Sequence, residues 1–314
     1  MTRKHDFGTL NGVIPVLVTP FEDSGEVDLS QLSSQVEFLI DRGVTGVALG
    51  FGSEVPRLST EDAEALMRHV VSVTGGRIYV MGNAEMTSVR GGSAAIRRME
   101  QAGADLVLLR PNNLEWAEQD ALFETILETA VCGGLPVVVQ DAPQHTGVRI
   151  TAETLARLLG EKEIVAVKVE APGSAAKIST VRSRLGAAAG SVLAGAGGVD
   201  WLHELQRGAD GTMPGPAYPE VFQAVHLLSM QGHRSEAAKR FARALPLLVL
   251  GTRDLDTFLF VQKYVLLRRG VMQSTRLGRP HRPIDPRLIH EIDELLEVLE
   301  LLKFFDDCHI IASA

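Results

Sequence analysis

The amino-acid sequence predicts an α/β fold, a (β/α)8 barrel over residues 1–232 with a helical extension over 233–314. Three observations lead there. Eight apolar, β-branched runs alternate with amphipathic stretches in units of roughly 25 residues, the pattern of a closed parallel barrel. No glycine-rich dinucleotide or phosphate-loop pattern follows the first run, which counts against an open, doubly wound sheet. From Arg234 onward the strand signal stops and the pattern is helical.

Taken in order, GVIPVLVTP (Gly12–Pro20) reads as a buried strand closed by a proline. Asp28 caps a helix to about Arg42, with Leu32, Val36, Leu39 and Ile40 on one face. Gly46–Leu49 is a second strand that enters the loop Gly50-Phe51-Gly52-Ser53-Glu54, and Thr60 caps the helix after it. RIYVMGNA is the third strand, with Thr87–Ala102 as its helix; DLVLLRPNN is the fourth, with Trp116–Gly133. LPVVVQDAP is the fifth, followed by a helix over Thr151–Leu159. IVAVKVE (Ile164–Glu170) is the sixth, followed by a helix from about Gly173 to Leu185. SVLAGAGG is the seventh, with Val199–Arg207, and Gly211–Met213 is a weak eighth before a helix from Pro219 to about Met230. Three helices form the extension, Ser235–Leu250, Leu255–Arg269 and Asp285–Leu302, packed on the barrel or at a subunit contact.

A net charge of −8 argues against nucleic acid or an anionic membrane as partner, so an anionic substrate must be held by local groups. Two cysteines make neither a disulfide framework nor a metal site, and no ligand cluster has metal spacing; Cys132, in an apolar helical stretch, is expected in the core. MTRKHDFGTLNG has no apolar signal region and no apolar run is long enough for a bilayer, so the expected compartment is the cytoplasm.

In such a barrel the chemistry sits at the C-terminal ends of the strands, which singles out Gly50–Glu54, Gln140–Asp141, Lys168–Glu170, Gly195–Gly198 and Met213–Tyr218. Lys168 is the anomaly among them. Burial disfavours an ammonium, and the uncharged amine is the form that attacks a ketone to give a Schiff base. Side chains alternate along a strand, so Glu170 shares the face of Lys168. A lysine that merely snorkels and pairs with Glu170 fits the same run. Gln140 could equally satisfy a buried backbone group, and Ser53 could simply stabilise its turn.

GVIPVLVTPFEDSGEVDL, the Gly50–Glu54 loop, AGADLVLLRP, VVVQDAPQHTGV, VAVKVE and GADGTMPG resemble the dihydrodipicolinate synthase and N-acetylneuraminate lyase family, in register from about Asn11 to Leu250. The resemblance implies a (β/α)8 barrel with a three-helix extension, a homodimer or homotetramer, and class I lyase chemistry on a 2-oxo acid with Lys168 as the Schiff-base lysine. Where typical members have the relay tyrosine of YNVPG, this chain has Gln140 in QDAPQ; the usual arginine of PGRTG is His145; PYYNKP reads Pro111-Asn112-Asn113-Leu114-Glu115-Trp116. VQDAP, K-V-E-A-P-G-S-A-A-K, the F-x-S-E type loop and RPHRPIDP are similar to the L-2-keto-3-deoxyarabonate dehydratase branch.

The expected activity is dehydration of a 2-keto-3-deoxy sugar acid without metal or organic cofactor. Lys168, Glu170 and Gln140 are the expected catalytic residues; Gly52, Ser53, Glu54, Gly195 and His145 are expected to bind substrate, Ser53 with the Gly52 and Ser53 amides at its carboxylate. A pyruvate-dependent aldolase or a synthase-like condensing enzyme is the alternative reaction. A non-catalytic metabolite-binding barrel is the alternative of another kind.

Overall fold

The computed structural model describes residues 10–185 and 190–313. The first nine residues, part of the stretch expected to lack a signal region, lie outside the described residues. Strands and helices alternate as β1 (Gly12–Val13), α1 (Leu29–Asp41), β2 (Gly46–Ala48), α2 (Thr60–Thr74), β3 (Tyr79–Met86), α3 (Val89–Gln101), β4 (Leu106–Pro111) and α4 (Gln119–Gly133). They continue as β5 (Val137–Asp141), α5 (Pro143–Thr146), α6 (Ala152–Leu158), β6 (Ile164–Val169), α7 (Ser174–Arg184), β7 (Ser191–Ala194), α8 (Trp201–Gln206), β8 (Gly211–Thr212) and α9 (Pro219–Met230). After them come α10 (Arg234–Gly251), α11 (Leu255–Arg268), α12 (Arg287–Val298) and α13 (Leu301–Ser313).

All eight strands pair in parallel, in the order β1-β8-β7-β6-β5-β4-β3-β2, and a Val16–Ala48 bridge brings the segment just after β1 against β2, so the barrel is nearly closed. The period of two sorts the side chains into two apolar layers. Ile14, Val16, Ala48, Met81, Leu106, Leu108, Val138, Ala166 and Leu193 fill the barrel interior. Val13, Val47, Val80, Val107, Val137, Val167 and Val192 face outward to the helices. At about 1.5–3 kcal/mol for each buried aliphatic side chain, this double layer carries the fold and leaves the upper rim free for polar groups.

Regular pairing of β1 ends well short of Pro20. Pro15 has no N–H to donate, and the rung continues instead as single bonds from Ile14 N–H to Thr212 O (2.9 Å) and from Val16 N–H to Pro214 O (2.8 Å). Asp28 caps α1 by accepting from Gln31 N–H at 3.0 Å. Ser59, one residue before the predicted Thr60, caps α2 by accepting from Asp62 N–H.

Cys132 is exposed, not in the core. The inner stripe of α4 runs through Leu122, Ile126, Thr129, Ala130 and Gly133, and position 132 falls off it. The last predicted helix, Asp285–Leu302, is two helices, because the chain turns at Glu300 (φ +46°) between α12 and α13. No helix among the described residues is long and apolar enough to cross a membrane.

Candidate active site

A cavity of about 420 Å³ opens at the C-terminal end of the barrel. Gly50, Phe51 and Gly52 after β2, Gln140 and His145 from β5 and α5, Lys168 and Glu170 from β6, and Ala196 after β7 all line it. The extension also contributes: the α10–α11 connection, Gly251 to Leu255, and Phe258 form part of the wall.

Lys168 stands on the inner face of β6, 4% exposed and paired in register with Gln140 of β5. Its Nζ lies 3.0 Å from Glu170 Oε1. The same oxygen accepts from Ala196 N–H at 2.8 Å, and Glu170 Oε2 accepts from Gln140 Nε2 at 2.5 Å. Burial pushes the Glu170 carboxyl up, but the Lys168 charge, the Ala196 N–H and the Gln140 amide outweigh it and hold the group below the usual carboxylate range. Glu170 is thus an anion held at three points. Gln140 Oε1 has no hydrogen-bond partner among the described residues. Gly195 is obligatory here because a Cβ on it would come within 2.4 Å of Glu170 Cγ.

The carboxylate-loop residues divide. Gly52 lines the cavity. Ser53 does not: its hydroxyl donates to Leu17 O at 2.6 Å and accepts from Gly50 N–H, and its own N–H donates to Gly50 O. The two donors of Ser53 expected at a substrate carboxylate, its hydroxyl and its N–H, are therefore consumed in shaping the loop. Glu54 is also turned away. At φ +56° and 1% exposed, its carboxylate accepts from Lys263 Nζ of α11, from Gly278 N–H at 2.7 Å and from Arg57 at 3.0 Å. It fastens the extension to the barrel.

His145 lines the cavity with its ring centroid 5.0 Å from that of Phe51. Burial lowers its pKa against the pull of Glu170, with Lys168 and Arg110 adding to the lowering, so the ring is neutral at neutral pH. Asp141 takes no part in the cavity; its Oδ2 accepts from Lys177 Nζ at 2.6 Å.

Three features escaped the sequence reading. Gln144, on α5, lines the cavity and donates to Glu170 O at 3.0 Å. The wall supplied by the extension comes from 83 or more residues downstream of Lys168, so spacing along the chain carries no trace of it. Arg110, the last inward position of β4, is 2% exposed, with its guanidinium carbon 3.7 Å from the Phe51 ring centroid. The alternation Leu106, Leu108, Arg110 was the available signal: two core residues, then a cation on the same face.

Comparison with known proteins agrees with the barrel fold. The L-2-keto-3-deoxyarabonate dehydratase of Azospirillum brasilense is 29% identical over 300 residues, 94% of each chain. The 4-hydroxy-tetrahydrodipicolinate synthase of Cereibacter sphaeroides is 35% identical over 179 residues, 57% of this chain and 61% of its own length. Among solved structures, the dihydrodipicolinate synthase of Rhodopseudomonas palustris superposes with a TM-score of 0.85 at 26% identity, covering 94% of this chain and 99% of the other. The sequence pattern of the dihydrodipicolinate synthetase family matches residues 9–299, and the chain is a lyase belonging to that family.

Proposed function

We propose that the protein is a Schiff-base-forming lyase that dehydrates a 2-keto-3-deoxy sugar acid. The observation that carries the reading is the Gln140–Glu170–Lys168 chain, in which a carboxylate 3.0 Å from the lysine is held in place by an amide. The similarity to a 2-keto-3-deoxyarabonate dehydratase over nearly the whole chain supports it.

Lys168 Nζ adds to the C2 carbonyl, the C–N bond forms and the carbonyl oxygen leaves as water. The iminium draws electrons from C3, Glu170 takes a C3 proton, and the electron pair of that C–H bond flows into the iminium to give an enamine. The enamine pair then returns to form the C3–C4 double bond while the C4 hydroxyl departs with the proton from Glu170 as water. A second water hydrolyses the unsaturated iminium and frees Lys168. The iminium is itself the electron sink, so the sequence calls on neither a metal nor an organic cofactor. The N–H groups of Phe51 and Gly52 hold the C1 carboxylate, and the unpartnered Oε1 of Gln140 accepts from a substrate hydroxyl.

Retro-aldol cleavage would instead need a base for the C4 hydroxyl proton. No tyrosine is among the described residues that line the cavity. The aldolase or synthase reading is favoured by the 35% identity to a 4-hydroxy-tetrahydrodipicolinate synthase over part of the chain, and product analysis separates the two. A homodimer or homotetramer is proposed from membership of the family.

The test is borohydride trapping with pyruvate and a panel of 2-keto-3-deoxy acids, followed by mass spectrometry and product analysis. The adduct mass is expected on the peptide carrying Lys168 and is absent in Lys168→Met. Release of an unsaturated or rearranged acid without pyruvate marks dehydration. An unmodified Lys168 peptide across the whole panel would sink the lyase reading.

A further inference from the structure

The reaction derived above leaves Arg110 without a task. It occupies the inner face of β4 above Leu106 and Leu108, and its side chain is 2% exposed. A guanidinium in such a place calls for a counter-charge and for partners on its N–H groups. The structure supplies little of either. Nη2 stands 3.4 Å from Glu85, a carboxylate that is 45% exposed and already accepts from Asn112. Nε and Nη1 have no hydrogen-bond partner among the described residues. What covers the guanidinium is the ring of Phe51, which also lines the cavity, so a buried cation lies directly behind the cavity wall.

Its distance from the lysine matters. β5 separates β4 from β6, about 10 Å from backbone to backbone. A group bonded directly to C2 stays beside Lys168, whereas one carried several carbons further along the substrate spans that step. Arginine's planar fork suits a carboxylate or phosphate, and a charge-assisted hydrogen bond outweighs a ring stacked on the cation.

We propose that Arg110 is the specificity residue for a second anionic group at the end of the 2-oxo acid remote from the Schiff base, and that Phe51 swings off the guanidinium to admit it. The substrate is then a 2-oxo-3-deoxy sugar acid with a terminal oxyanion, either a carboxylate or a phosphate. This inference rests on the lyase reading of the same cavity.

The experiment measures the concentration of acid that half-saturates borohydride trapping at Lys168. 2-Oxoglutarate is compared with 2-oxopentanoate, which has the same chain length but ends in a methyl group; pyruvate and 2-oxo-4-phosphonobutanoate complete the set. The unaltered protein is expected to half-saturate with 2-oxoglutarate or the phosphonate at a concentration roughly 10-fold or more below that for 2-oxopentanoate, the scale of one charge-assisted pair. Carboxylate ahead of phosphonate marks a diacid substrate, and the reverse order a phosphorylated one. In Arg110→Met the preference is expected to collapse to within about 2-fold while pyruvate is unaffected, and Arg110→Lys retains part of it.

Equal half-saturation by 2-oxoglutarate, the phosphonate and 2-oxopentanoate in the unaltered protein overturns the proposal, whether or not the variants fold. So does a preference that survives Arg110→Met. Equal weakening of pyruvate and 2-oxoglutarate in that variant also overturns it and assigns Arg110 to the C1 carboxylate. Pyruvate trapped without any preference leaves the lyase reading standing, whereas no trapping with any acid removes both.

Discussion

Glu170→Gln separates a base from a counter-ion. The glutamine is nearly isosteric and can still accept from Ala196 N–H, but it removes the charge 3.0 Å from Lys168 Nζ. At that distance and an effective dielectric near 20, two unit charges attract by roughly 5–6 kcal/mol before desolvation is counted. Their buried setting makes that loss matter to binding and to chemistry alike. If Glu170 is the C3 base, borohydride trapping persists while kcat falls by about 10²–10⁴-fold, roughly 3–5 kcal/mol on the barrier. If it is only a counter-ion, trapping is preserved or faster, and turnover stays largely intact. The deciding assay follows C3 proton exchange into deuterated water by NMR, with a 2-keto-3-deoxy acid and the variant at matched trapping. Exchange is expected to fall in step with kcat. Exchange at the unaltered rate refutes Glu170 as the base and turns attention to a water beside Gln140.

Two further outcomes follow from the same charges. Gln140→Leu removes a donor that helps hold Glu170 ionised, so the acid limb of kcat is expected to move to higher pH, with kcat down about 10-fold and trapping at Lys168 retained; an unmoved limb refutes the positioning role. Glu204 of α8 is 1% exposed, and burial raises its pKa to about 7 against the lowering effect of the Ser174 hydroxyl. A carboxyl whose folded pKa is raised contributes stability below its unfolded value near 4.3 that is lost as pH climbs to about 7. Glu204→Gln is expected to gain roughly 2–4 kcal/mol at pH 8 and nothing at pH 4, by denaturant unfolding; an equal change at both pH values refutes the assignment.

The barrel was legible because its signal is local and repeated: each valine-rich run and each helical stripe reports its own burial. Lys168 and Glu170 were legible for a related reason, since the period of two puts them on one face whatever the rest of the chain does. The roles of Ser53 and Glu54 were not. Both lie in the loop at the rim, yet what each side chain does is decided by Leu17 on one side and by Lys263 and Gly278 on the other, partners 36, 209 and 224 positions away. A carboxylate drawn from sequence alone has no direction. Gln140 was legible as a strand-end residue expected in the catalytic group, but its bond to Glu170 was not, because that partner lies 30 positions away at the end of the neighbouring strand. The break at Glu300 was missed because apolar residues run through it without a proline or glycine.

The fastening of Glu54 to Lys263 bears on how this chain can be inherited or recombined. Both side chains are fully shut off from solvent, so neither tolerates losing the other: a chain that stopped at Gly232 would strand a carboxylate inside the protein within a few residues of the cavity-lining Phe51 and Gly52. Arg57, which reaches from Glu54 to Asp256 at the start of α11, doubles the fastening. The boundary visible in the residue pattern near position 232 is therefore not a seam along which relatives could trade parts. A graft of the tail or of the loop after β2 from a relative would have to bring the other with it.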